Sequence, residues 1–325
     1  MKRKSLLLSA ISALMVSVLM LTAASFAWFE FSLTPEIDSF QLDIVTGDSL
    51  QIGFSADGAF SNKVYKDDIV RVSAGKFPNN DGANDYKLNA ATPDYDGGTG
   101  AELKLTDNAL TFYTFVDGQT YQDYKDKTDV MYAAGTPPTG LLKNATAGND
   151  YIEITLYLRA NKAMAVSLET TDLFKAHDSN VNFTDILNSL RLVAVYSKVP
   201  NPKSAPAVLG TSAYVLYNPD TNLTAPLATN QMQNVVDLDD RTGLPVVPEK
   251  KFADTHFNKY TANTPVSNKI KLFDAVDPTT TDDVDIFDVW QVRIYIWVEG
   301  FDGDSNMESA GASFWTHLKF VGEVS

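Results

Sequence analysis

The chain has 325 residues, no cysteine, and 41 acidic against 26 basic side chains, for a net charge of −15 at pH 7. A surface this acidic repels phosphate backbones, which excludes nucleic acid as a partner class. Without thiols there is neither a disulfide framework nor a cysteine metal site, and a chain of this length can build a sufficient core without them.

Lys2, Arg3 and Lys4 open the chain, and no charged residue follows from Leu6 to Phe29. Small residues at Ser25 and Ala27 close the apolar stretch, with Phe26 between them. This is the layout of a secretory signal peptide over 1–27, and the cut is expected between Ala27 and Trp28. The 24 uncharged residues are also enough to span a bilayer as a helix. The alternative is therefore an uncleaved anchor, with the positive flank inside and the same outward topology. Either way residues 28–325 lie outside the cytoplasm and meet the membrane only through residues 6–29. Cleavage removes three positive charges, taking the net charge from −15 to −18 on 298 residues.

The new N-terminus is apolar. Trp28 is followed by alternating Phe29, Phe31 and Leu33, and Pro35 ends the run. A strand of this kind has unpaired backbone groups and an apolar face, and adding to a sheet edge satisfies both. Paired within its own domain, it is an ordinary edge strand. Paired with the next subunit, it is a donor strand, and head-to-tail repetition gives an open filament.

Period-two alternation dominates the chain beyond Pro35. Ile152, Ile154, Leu156 and Leu158 share one face of a strand over 151–159. Trp290, Val292, Ile294, Ile296 and Val298 share one face over 290–298, with Gln291, Arg293, Tyr295 and Trp297 on the other. Shorter runs repeat the pattern at Phe40-Leu42-Ile44, Leu50-Ile52-Phe54, Leu103-Leu105, Leu110-Phe112, Met164-Val166-Leu168, Val193-Val195 and Phe314-Leu318-Phe320. One apolar face per strand predicts antiparallel sheets packed face to face. One short helix is expected from Phe183, Ile186, Leu187 and Leu190, with Asn182 and Thr184 as caps. Residues 76–100 and 117–149 read as loops, and 199–285 as a loop-rich insertion with short strands of its own. No repeat of 20–50 residues is found.

Two short stretches carry a family resemblance. Ser25-Phe26-Ala27-Trp28-Phe29 resembles the signal-peptide junction of the TasA/camelysin-like secreted proteins of Firmicutes, which a SipW-type signal peptidase handles. The run from Val292 through Trp297-Val298-Glu299-Gly300-Phe301-Asp302-Gly303-Asp304 is similar to their late strand and acidic turn. Relatives often carry a cysteine after that turn, where this chain has Ser305. The resemblance covers about 50 residues at the two ends. It implies a jelly-roll-like β-sandwich, a Gram-positive surface or matrix protein, and in some members a subunit of biofilm fibres.

Camelysin is classed as a metallopeptidase, but no motif here supports that activity. The histidines His177, His256 and His317 lack the His-Glu-x-x-His spacing that puts two ligands on one helix face. There is no Gly-x-Ser-x-Gly string and no Gly-rich phosphate loop opening a helix, so no catalytic residue and no organic cofactor is assigned. Calcium is the one metal considered. Asp302, Asp304, Asn306 and Glu308 alternate so that several oxygens converge on a hard cation; the other reading is a solvated acidic turn. Asn144, Asn182 and Asn222 head Asn-x-Thr triplets, read as incidental in a bacterial protein. Tyr295 and Trp297 either stack on sugars or a partner, or pack beneath a loop or second sheet.

The sequence therefore predicts one exported, all-β sandwich domain over 28–325, structural or adhesive rather than enzymatic. Its expected partners are the signal peptidase during export and then itself or a homologous surface subunit. A monomeric surface-binding module for carbohydrate or a host protein is the alternative, and a secreted metallopeptidase is the third reading. No Leu-Pro-x-Thr-Gly signal follows the last strand, so sortase anchoring is not expected.

Overall fold

Alternating apolar residues pair into sheets because each strand can then bury one face while its backbone bonds to neighbours. The computed structural model describes residues 36–44, 50–73, 76, 88–93, 103–115, 142–176, 187, 189–200, 202, 209–219, 238–239, 244–245, 266–275, 288–299 and 313–324. The first strands are β1 (Glu36–Ile44), β2 (Leu50–Gly53), β3 (Phe60–Ser61), β4 (Lys63–Val64) and β5 (Ala90–Pro93). Next come β6 (Leu105–Thr106), β7 (Ala109–Leu110), β8 (Phe112–Phe115), β9 (Leu142–Asn144) and β10 (Tyr151–Ala160). After these are β11 (Met164–Glu169), β12 (Phe174–Ala176), β13 (Leu190–Lys198), β14 (Ser212–Tyr217), β15 (Leu238–Asp239) and β16 (Leu244–Pro245). The last three are β17 (Lys269–Ala275), β18 (Asp288–Glu299) and β19 (Ser313–Val324). The fold is all-β, as the alternation predicts.

Two sheets carry most of these strands. One runs β17-β11-β19-β1-β4, with β12 also on β19. The other runs β3-β2-β10-β18-β5-β8-β9, with β13 on β18 and β14 on β13. Their facing sides share one core. Ile152, Ile154, Leu156 and Leu158 of β10 and Val292, Ile294, Ile296 and Val298 of β18 meet Val166 and Leu168 of β11 and Phe314, Leu318 and Phe320 of β19. Each such side chain contributes about 1.5–3 kcal/mol on full burial, so the shared apolar face is what holds the sheets together.

The pairing is not wholly antiparallel, because two pairs run parallel among the described strands. β1 lies parallel to β19, from Glu36↔Ser313 to Ile44↔Phe320, with a bulge between Ile37 and Ser39. β5 lies parallel to the end of β18 at Val298 and Glu299. Period two says which face a residue occupies but not the direction of the neighbouring strand.

Two further expectations need revision. A helix not expected from the sequence, α1 (Lys66–Val72), packs Ile69 fully inside, and Arg71 pairs with Asp68 at 2.8 Å. Its β-branched Ile69, Val70 and Val72 carry low helix propensity and no helical period over so short a span; burial of Ile69 and acids in the first turn favour the helix. Most of the helix expected around 183–190 lies outside the described residues, but Leu187 and Ser189 are helical, and β13 follows directly from Leu190. Within 199–285, Ser212–Tyr217 pairs along its whole length with β13 and Lys269–Ala275 with β11. Both ends of the supposed insertion are thus integral to the main sheets.

Candidate functional site

The candidate assembly site is the edge built by β1. On one side β1 bonds to β19 along its full length. On its other side, among the described residues, only Leu42 and Asp43 pair, with Val64 and Lys63 of β4. The outer backbone edge of Glu36–Gln41 therefore has no strand partner among the described residues. The register sets Phe40, Leu42 and Ile44 beside Thr316, Leu318 and Phe320, whose side chains are buried in the core. An unpaired edge of this length presents a row of N–H and C=O groups to any incoming strand.

Ser25, Ala27 and Trp28 of the expected signal junction, Phe29, Phe31 and Leu33 of the candidate donor strand, and Asp302, Asp304, Asn306 and Glu308 of the candidate calcium turn all lie outside the described residues. So do His177 and His256. His317 sits part-buried on β19, where its N–H donates to the Leu173 carbonyl at 3.0 Å. Among the described residues no group of three or more His, Cys, Asp or Glu is placed to hold a metal, and no helix is long and apolar enough to cross a membrane.

The aromatic side of β18 resolves in favour of packing. Tyr295 and Trp297 are both fully buried. The β6–β7 hairpin and β8 lie over them. Asp107 and Asn108 take positive φ values of 51° and 62°, as a two-residue hairpin turn of the mirror-image type requires. Long-range bonds pin the hairpin and the residues leading into it. The Leu110 N–H donates to the Tyr295 hydroxyl (3.3 Å), Arg293 Nη1 donates to the Asn108 carbonyl (3.3 Å), and the Leu103 N–H donates to the Tyr214 hydroxyl (2.9 Å). Phe112 stacks on Tyr151 with centroids 4.3 Å apart and meets Trp297 edge-on at 5.2 Å. Trp297 Nε1 donates to Glu299 Oε2 at 3.0 Å, and both residues are fully buried.

This second core is polar as well as aromatic. Glu153, almost buried, pairs with Lys76 at 2.6 Å and lies 3.8 Å from Arg293. Burial, followed by the Glu153 carboxylate, pushes the Tyr151 hydroxyl up to about 12 and raises Tyr295 as well. Phenols held neutral in this way act as fixed hydrogen-bond groups, not as proton-transfer groups near neutral pH.

No protein-family model, no curated protein and no solved structure matches this chain. The resemblance at 25–29 and 292–304 rests on those residues alone.

Proposed function

We propose that the chain is an exported extracellular structural protein, a filament subunit that assembles by strand addition. In this reading residues 28–34 of one subunit, freed by signal cleavage, add to the open β1 edge of the next. The observation that carries it is the edge of Glu36–Gln41, which has no strand partner among the described residues and belongs to the strand that directly follows the candidate donor. The donor segment and the acceptor edge are then different surfaces of the same chain. A contact between unlike surfaces repeats head to tail and gives a fibre rather than a closed dimer. The bond ladder of such a pair supplies affinity, and Phe29, Phe31 and Leu33 supply side-chain selectivity. Export gives the step its timing, because the segment is joined to the signal sequence until the cut after Ala27.

Sedimentation of residues 28–325 tests this, alongside a chain starting at Pro35. The longer form is expected to pellet as polymer and the shorter to stay a folded monomer with unchanged circular dichroism. Unfolding of the shorter form assigns 28–34 to its own sheet and overturns the proposal.

A further inference from the structure

A cleft of about 440 Å³ opens beside the turn between β9 and β10, lined by Asn89, Lys143, Asn144, Thr146, Asn149 and Asp150. No apolar side chain is among them. Asp150, buried, is held from two sides: Asn89 Nδ2 donates to its Oδ1 at 2.7 Å and the Thr146 N–H to its Oδ2 at 2.6 Å. The turn is held by its own backbone. The Asn149 and Asp150 N–H groups donate to the Thr146 carbonyl (3.1 and 2.9 Å), and the Asn89 N–H donates to the Asn149 carbonyl (2.9 Å). Gly148 closes it with φ of 88°, a conformation a side chain rarely adopts.

The arrangement leaves hydrogen-bonding groups over. Since Asn89 spends its amide nitrogen on Asp150, its Oδ1 is left as an acceptor. The side chains of Asn144, Thr146 and Asn149 bond to no described residue. Charge then selects the ligand. A cation is disfavoured because the single carboxylate already accepts two N–H donors and Lys143 adds positive charge. An anion is disfavoured by the buried carboxylate itself, and an apolar ligand by the lining. A neutral molecule bearing neighbouring hydroxyls fits, because the amide oxygens and the Thr146 hydroxyl accept from hydroxyls while the amide nitrogens donate to them. The volume is at the small end of the roughly 300–1,000 Å³ range of ligand clefts.

We infer that this cleft is a binding site for neutral carbohydrate, independent of filament assembly. With no aromatic platform in the lining, affinity for one sugar unit is expected near millimolar, and repetition of the site along a polymer would raise it by avidity.

Saturation-transfer NMR on the full chain tests this, using the methyl glycosides of glucose, galactose and mannose, and N-acetylglucosamine. The chain is to be made in a host that does not glycosylate Asn144. Transfer to at least one sugar is expected. Asn144→Ala with Asn149→Ala, both exposed positions, is expected to weaken it at least tenfold without moving the thermal midpoint. Asn89→Ala is the second variant and is expected to weaken it likewise. Unchanged transfer in the double variant, no transfer to any of the four sugars, or calorimetric binding of calcium or inorganic phosphate at this cleft would each overturn the inference.

Discussion

Phe112→Ala tests whether the outer side of β18 is a second core or a covered surface of little consequence. Phe112 is only 1% exposed and touches three rings, with centroids 4.3 Å from Tyr151, 5.2 Å from Trp297 and 5.6 Å from Tyr295. Truncating a buried Phe costs about 3–5 kcal/mol in lost transfer energy and residual cavity. Aromatic pairs add roughly 0.5–1.5 kcal/mol beyond area burial. Because β8 is anchored between β5 and β9, little collapse of the site is expected, so the loss should be about 4 kcal/mol. Urea titration followed by tryptophan fluorescence reads it, since Trp297 lies against the deleted ring. A loss below about 1 kcal/mol, with Trp297 still shielded from iodide, would refute the reasoning, because the hairpin and β8 would then be decoration.

Tyr295→Phe removes the hydroxyl that accepts the Leu110 N–H; a buried unsatisfied donor costs about 1–3 kcal/mol, readable in the same titration. Alkaline stability follows from Tyr151, raised to about 12 by burial first and then by Glu153. In the unfolded chain this phenol ionises near its ordinary value of 10. Its contribution is therefore complete below pH 10 and is lost as pH rises toward 12, by about 2–3 kcal/mol in all. A stability plot that stays flat from pH 10 to 12, or that rises, contradicts this. Phe31→Asp is expected to abolish polymer formation while leaving the monomer's thermal midpoint unchanged; a polymerising variant would remove the apolar donor face from the mechanism.

The strands were legible wherever alternation was long. Residues 151–159 and 290–298 became β10 and β18, the two long central strands of the larger sheet, because one apolar face per strand leaves few other ways to bury it. Partner choice was not legible, since nothing local to Glu36–Ile44 encodes a parallel neighbour about 280 residues away. Burial of both faces of β18 was half visible: Tyr295 and Trp297 on the nominally polar face were the signal, but the hairpin covering them comes from residues 103–110. The helix Lys66–Val72 was missed because its β-branched residues show no helical period over so short a span. No motif marks the polar cleft as a site, since its Asn144-Ala145-Thr146 triplet reads as incidental. Asn144, Thr146 and Asn149 fall in the stretch 117–149 that reads as a loop, and only the fold brings Asn89 beside Asp150.

The absence of cysteine from the chain makes disulfide trapping the most direct test of strand addition. Ser32→Cys is combined in turn with a second cysteine at Asp38, Ser39 or Gln41, and the mature chain is oxidised under assembling conditions. Within one extended chain, positions six to nine residues apart lie roughly 20–30 Å apart, far beyond the ~7 Å limit between bridged Cα atoms. A ladder of reducible oligomers on a non-reducing gel is expected for at least one pair. A bridged monomer, or no bridge for any pair, would contradict donation of residues 28–34 to a neighbour's β1 edge.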